Sequence, residues 1–146
     1  MVKKRCSWVS KDECYQEYHD NVWGVPVHDD QRLFEFLILE GAQAGLNWLT
    51  ILKKQENYRK AFHEFEIERV AAYMDKDIER LMADAGIVRN RLKIHSAIKN
   101  ANGALNLQKE FGSLDAYFWS YVDGAPQQNE WTSMADLPAN TEVSDR

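Results

Sequence analysis

The stretch that decides the fold runs from Asp77 to Gly103, DIERLMADAGIVRNRLKIHSAIKNANG. Ile78, Leu81 and Met82 recur at helical spacing, and Gly86 stands where a helix over 77–85 would stop. Ile87 and Val88 make an apolar turn. A second helix opens at Arg89 or Asn90, carries Leu92, Ile94, Ala97, Ile98 and Ala101, and ends near Gly103. Two helices joined this tightly, in a hairpin region over about 84–94, form a helix-hairpin-helix unit. Its turn (Gly86, Ile87, Val88) and the following helix N-terminus can offer backbone N–H groups to a phosphate oxygen, with Arg89 and Arg91 adding charge. By spacing alone, the same residues also fit an ordinary helical connection with Gly86 as its C-cap.

Outward from the hairpin the pattern stays helical. A helix over 30–41, capped by Asp29 or Asp30, places Leu33, Phe34, Leu37 and Ile38 on one face, and Gly41 and Gly45 break it. A second over 47–62 aligns Trp48, Ile51, Leu52, Tyr58 and Phe62. Shorter helices are expected over 66–74 and 114–122. No strand-length alternation and no internal repeat occurs, so the expectation is a single all-α domain over 1–146. The last stretch, 123–146, is polar, contains Pro126 and Pro138 and reads as a loop-like tail. A domain expected to finish on an element implies a C-terminal segment that is absent here.

Of the 146 residues, 45% are hydrophobic and 28% charged, a balance typical of globular proteins. No apolar run approaches the roughly 20 residues of a membrane span. Met1–Ser7 holds Lys3, Lys4 and Arg5 without the apolar stretch of a signal peptide, so a cytoplasmic monomer with no membrane partner is expected. The net charge of -5 argues against coating nucleic acid by charge alone. Yet Arg89, Arg91, Lys93, His95 and Lys99 follow one another with no acid among them, while acids crowd Glu64 to Asp84, so one basic face is possible. The two cysteines, Cys6 and Cys14, fit buried thiols or metal ligation better than a disulfide in a reducing compartment.

Two features point to a pocket. Glu40 is the sole charge between Glu35 and Lys53, in LFEFLILEGAQAGLNWLTIL (33–52). A carboxylate buried there needs a donor or a ligand that supplies one, unless it serves only as a cap. Trp8, Tyr15, Tyr18, Trp23 and Trp48 crowd the first 48 residues; any one of them is commonly core packing. Aromatic faces beside a carboxylate would together bind a flat, cationic ring.

The blocks CSWV (6–9), YHDNVWGVP (18–26), LEGAQAGLNW (39–48) and DAGIVRNRLKI (84–94) make the chain similar to the bacterial 3-methyladenine-DNA glycosylase I family, within the helix-hairpin-helix DNA glycosylase superfamily. The resemblance spans the whole chain. It implies a monofunctional hydrolase of base excision repair that flips 3-methyladenine out of double-stranded DNA and cleaves its N-glycosidic bond. It further implies that Glu40 reads the base, Trp48 stacks on it, and Tyr18, Trp8 and Trp23 line the pocket. Leu46 would fill the gap left in the duplex, and Gly86, Ile87, Val88, Arg89 and Arg91 would hold the backbone. Cys6 and His19 match two of four structural zinc ligands, the other two being absent from the sequence. Two other classes stay open: a non-catalytic helix-hairpin-helix DNA-binding module, and a helical small-molecule or metal-structured protein that ignores DNA.

Overall fold

Asp29 opens the helix against which much of the molecule packs. In the computed structural model, which describes residues 2–146, its carboxylate accepts from the Arg32 N–H at 2.9 Å and caps α2 (Asp30–Ala42). Among the described residues every regular element is helical, as expected. Before α2 lies α1 (Glu13–Asn21), which hydrophobic periodicity does not reveal because it buries no side chain completely. It is fixed at its start instead. Asp12 caps it through the Cys14 N–H and meets Lys53 Nζ at 2.6 Å.

The single helix expected over 47–62 divides into α3 (Trp48–Lys53) and α4 (Gln55–Ala61), because Lys54 (φ -96°, ψ -2°) leaves regular helical geometry. Asn47 caps α3 through the Thr50 N–H. The 3-10 turn His63–Phe65 has left-handed backbone at all three residues, with φ of 51°, 55° and 60°. Then come α5 (Ile67–Ala71), α6 (Asp75–Met82), α7 (Arg91–Phe111) and α8 (Leu114–Trp119). The tail from 123 to 146 is almost wholly exposed and holds one 3-10 turn, Met134–Asp136, in keeping with its loop-like reading. No described helix is long and apolar enough to cross a membrane.

Three glycine expectations are corrected. Gly41 does not break α2, which continues to Ala42 because Ile38, Leu39 and Ala42 are buried on its inner face. The helix ends at Ala42, and the turn that follows reaches left-handed backbone at Gly45, whose φ of +77° suits a residue without Cβ. Gly103 does not end α7, because Ala101 and Ala104 on either side of it are buried and carry the helix on to Phe111. Gly86 does not stop α6, which ends at Met82 with Ala83 as its cap. Glycine at 86 serves close approach: a Cβ there would lie 3.0 Å from the Asn57 Cβ on α4, tight enough that Asn57 would have to give way.

Phe34, Leu39, Ile51, Phe62, Phe65 and Val70 form the centre of the core. Each large apolar side chain so buried contributes about 1.5–3 kcal/mol relative to exposure. One carboxylate lies within this shell. Glu35, 5% exposed, accepts from Arg32 Nη1 at 2.9 Å, Gln55 Nε2 at 2.9 Å and Arg59 Nε at 2.7 Å, so its charge is matched and α2 is locked to α4. Asp30 joins three helices: its carboxylate accepts from Gln108 Nε2 at 2.7 Å and from the N–H groups of Leu114 and Asp115, each at 2.9 Å.

Candidate active site

A cavity of about 480 Å³ opens between the end of α1, the segment 22–27, α2 and α8. Tyr18, Trp23, Phe36, Glu40, Phe118 and Trp119 are among its walls. Glu40 comes from the last turn of α2, where it is exposed to solvent across the mouth of the concavity. Of the two outcomes open to it from the sequence, a buried donor or a pocket whose ligand supplies one, Glu40 takes the second, at the cavity; the fully buried carboxylate of α2 is Glu35. No donor among the described residues meets the Glu40 side chain, and the surrounding protein desolvates it enough to raise its pKa above the ordinary glutamate value. Water reaches this group, but little protein polarity compensates it.

Tyr18 faces the same space. Burial, and then the nearby Glu40 charge, raise its pKa, so its hydroxyl keeps its proton and remains a donor at neutral pH. Trp48 stands behind it, ring centroids 5.4 Å apart at 53°. The Trp48 indole N–H is buried without an acceptor in the structure, an open donor at the edge of the site. Trp8 is likewise set back: it packs edge-on to Trp23 at 5.2 Å and against His19 at 5.3 Å. Thus Tyr18, Trp23 and Glu40 line the cavity, whereas Trp8 and Trp48 support the rings that do.

The opposite wall was not foreseen as part of the site. Phe118 and Trp119 belong to α8, whose aromatic content is visible in sequence but lies far along the chain from Glu40. Trp119 is fixed by its indole donating to the Val27 carbonyl at 2.9 Å and by His28 stacked on it at 4.5 Å. His28 in turn meets Asp115 at 2.6 Å.

The connection between α6 and α7 spans 83–90, longer than the two-residue turn read from the sequence. Its N–H groups are largely used within the fold, contrary to the expected row of open donors. Gly86 donates to Asp84 Oδ1 at 2.8 Å, Ile87 to the Asp84 carbonyl at 3.4 Å, and Val88 to the Tyr58 hydroxyl at 3.2 Å. The Ile87 side chain is core, 3% exposed. Open donors remain at the start of α7: Asn90 takes the N–H groups of Lys93 and Ile94, leaving those of Arg91 and Leu92 without acceptors among the described residues. Arg89 is exposed beside them, while Arg91 Nη1 pairs with Glu79 at 2.8 Å. Leu46, 44% exposed, projects from the loop after Gly45.

Cys6 and His19 are neighbours, the Cys6 N–H lying 3.4 Å from His19 Nε2. His19 Nδ1 is 3.0 Å from Asp20, whose carboxylate Arg5 and Lys3 also hold. That partner favours a proton on Nδ1, and Nε2 then accepts the Cys6 N–H, a contact that a metal on Nε2 would have to replace. No group of three or more His, Cys, Asp or Glu side chains among the described residues could hold a metal, so these residues alone do not complete a four-ligand site.

The family model described as Methyladenine glycosylase matches residues 8–146. The chain is 47% identical over 142 residues to DNA-3-methyladenine glycosylase 1 of Escherichia coli (strain K12), covering 97% of this chain and 76% of that protein. It is 41% identical over 140 residues to DNA-3-methyladenine glycosylase of Haemophilus influenzae, covering 96% and 76%. A crystal structure of 3-methyladenine DNA glycosylase I superposes with a TM-score of 0.93 at 48% identity, covering 97% of this chain and 78% of that one. A structure of the Staphylococcus aureus enzyme, solved to explain 3-methyladenine recognition, gives 0.92 at 41% identity, covering 95% and 74%.

Proposed function

The chain belongs to the methyladenine glycosylase family, and from that premise we propose that it hydrolyses the N-glycosidic bond of 3-methyladenine in alkylated double-stranded DNA, the first step of base excision repair. The observation that carries this reading is the unmatched Glu40 carboxylate at an aromatic cavity. A base methylated at N3 is a cation within the nucleotide. Placed against Glu40 and the Tyr18 and Trp23 rings, it supplies the positive charge that the carboxylate lacks. Ordinary adenine is neutral and supplies none.

The chemistry then needs little activation. As the C1′–N bond breaks, its electron pair goes to the base, which leaves neutral, and positive charge develops on the sugar. Water adds at C1′ and gives its proton to solvent. The protein contributes by holding the base outside the stack, against Glu40, the one acidic residue among the described residues of the cavity lining. No lysine is among the described residues lining the cavity, which supports reading the enzyme as monofunctional. The open N–H groups at the start of α7 and exposed Arg89 would bind backbone phosphate, with 83–90 acting as the hairpin of a helix-hairpin-helix unit. Leu46 would occupy the space vacated by the flipped base.

Zinc is proposed only as a structural ion, for which Cys6 and His19 would give two of four ligands, with no step of hydrolysis passing through it. The protein is read as a cytoplasmic monomer. The decisive experiment measures 3-methyladenine released from methylated duplex by the wild type and by Glu40→Gln. The wild type should release the base, and the substitution should weaken base affinity by about tenfold or more, the loss associated with one charged hydrogen bond. A wild type that binds duplex but releases no base would sink the proposal.

A further inference from the structure

We infer that Lys93 is a positioning residue for base extrusion, tying the loop that carries Leu46 to the helix that follows the hairpin; this rests on the glycosylase reading above. Lys93 Nζ donates to the Ala42 carbonyl at 2.8 Å and to the Ala44 carbonyl at 2.6 Å. These are the last residue of α2 and the middle of the loop beyond it. Helix α2 has no basic residue in its own last turn. The cation that answers its C-terminal dipole therefore comes from the first turn of α7. The rest of the loop closes on itself, with Gln43 N–H bonded to the Leu39 and Glu40 carbonyls and Leu46 N–H to the Gln43 carbonyl at 2.7 Å.

One ammonium thus connects two surfaces that must meet the duplex together. On its own turn of α7 lie the open N–H groups of Arg91 and Leu92, with Arg89 just before them. Across its hydrogen bonds lie Leu46 and the end of α2 that bears Glu40. Lys93 fixes the separation between the phosphate grip and the wedge at the cavity mouth. Lys93 is not among the residues lining the cavity. An error of about 1 Å in such a spacing can slow a reaction by about 100-fold.

The test compares wild type, K93M, K93R, L46A and the K93M/L46A double variant by single-turnover release of 3-methyladenine from methylated duplex and by calorimetric affinity for free 3-methyladenine. K93M keeps the stem and loses both hydrogen bonds. It should slow release by about 10- to 100-fold while leaving free-base affinity within about twofold, and K93R should recover most of the rate. In the L46A background K93M should add less than about twofold, because the loop it positions has lost its wedge. Unchanged release in K93M overturns the inference. So does a parallel loss of free-base affinity, which marks a brace of the fold, and so do effects that multiply in the double variant. A wild type that releases no base removes the glycosylase reading itself and the inference with it.

Discussion

Glu40 and Glu35 stand on the same helix in opposite electrostatic states. Glu35 is buried and fully paired; Glu40 is partly desolvated and unpaired. Because the folded protein raises the Glu40 pKa above its unfolded value, the folded state sheds this proton less readily. Its contribution to stability falls as pH rises from the ordinary glutamate range through the raised value and stays unfavourable at neutral pH. Glu40→Gln should therefore raise Tm at pH 7 by about a degree or two, since water still screens the group, and should show no gain near pH 3. Equal Tm shifts at both pH values in a calorimetric scan would refute this account. A variant that is more stable yet binds the base less well would locate the unfavourable charge in function.

Much of this site is legible along the chain, because Tyr18, Trp23 and Glu40 sit in compact blocks of unusual composition. The Phe118 and Trp119 wall is not, since local periodicity carries no information about which distant helix closes a cavity. Trp8 and Trp48 were identifiable as aromatic but not as supports behind the lining; that distinction depends on packing.

At the scale of elements, the left-handed run His63–Phe65 has no equivalent signal in the sequence. None of the three is glycine, and each left-handed residue costs about 1 kcal/mol or more. The surroundings impose it: Phe65 is fully buried against Phe62, and the Glu64 carbonyl accepts from Gln31 Nε2 at 2.6 Å. Glu64 is exposed, so Glu64→Gly should relieve strain without emptying the core. The expected gain is about 1 kcal/mol, read as a higher denaturation midpoint with an unchanged m-value. A lower midpoint would mean that glycine's entropy in the unfolded chain outweighs the strain. The same interplay explains the element boundaries. Helix α7 passes Gly103 because alanines pack on both sides of it, whereas α1 escapes a reading based on apolar spacing because its Asp12 cap, and not a buried face, defines it.

Over the whole molecule, Asp30 is the point where α2, α7 and α8 meet. Burial would raise its pKa, but the hydrogen bonds from Gln108, Leu114 and Asp115 outweigh that and hold it below the ordinary aspartate value. Its stabilisation is present above the unfolded pKa and is lost as pH falls through the lowered folded one. Asp30→Asn presents an amide N–H₂ to at least one of these donors. It should cost about 1–3 kcal/mol at pH 7, measured by urea unfolding, and progressively less below about pH 4. A loss that does not shrink in acid would show that Asp30 acts through shape alone. Because α8 supplies Trp119, the same change should also loosen the cavity wall.

The Arg91–Glu79 pair has a consequence for how such a protein would find its target. A phosphate arriving at Arg91 would share the guanidinium with the Glu79 carboxylate already there, and the chain as a whole is acidic. Contact with undamaged duplex would then be brief, and the lesion search would consist of many short visits along the DNA with release the default outcome. Only a site that adds a cationic base to Glu40 would prolong the stay, so residence time itself would distinguish damaged from normal DNA.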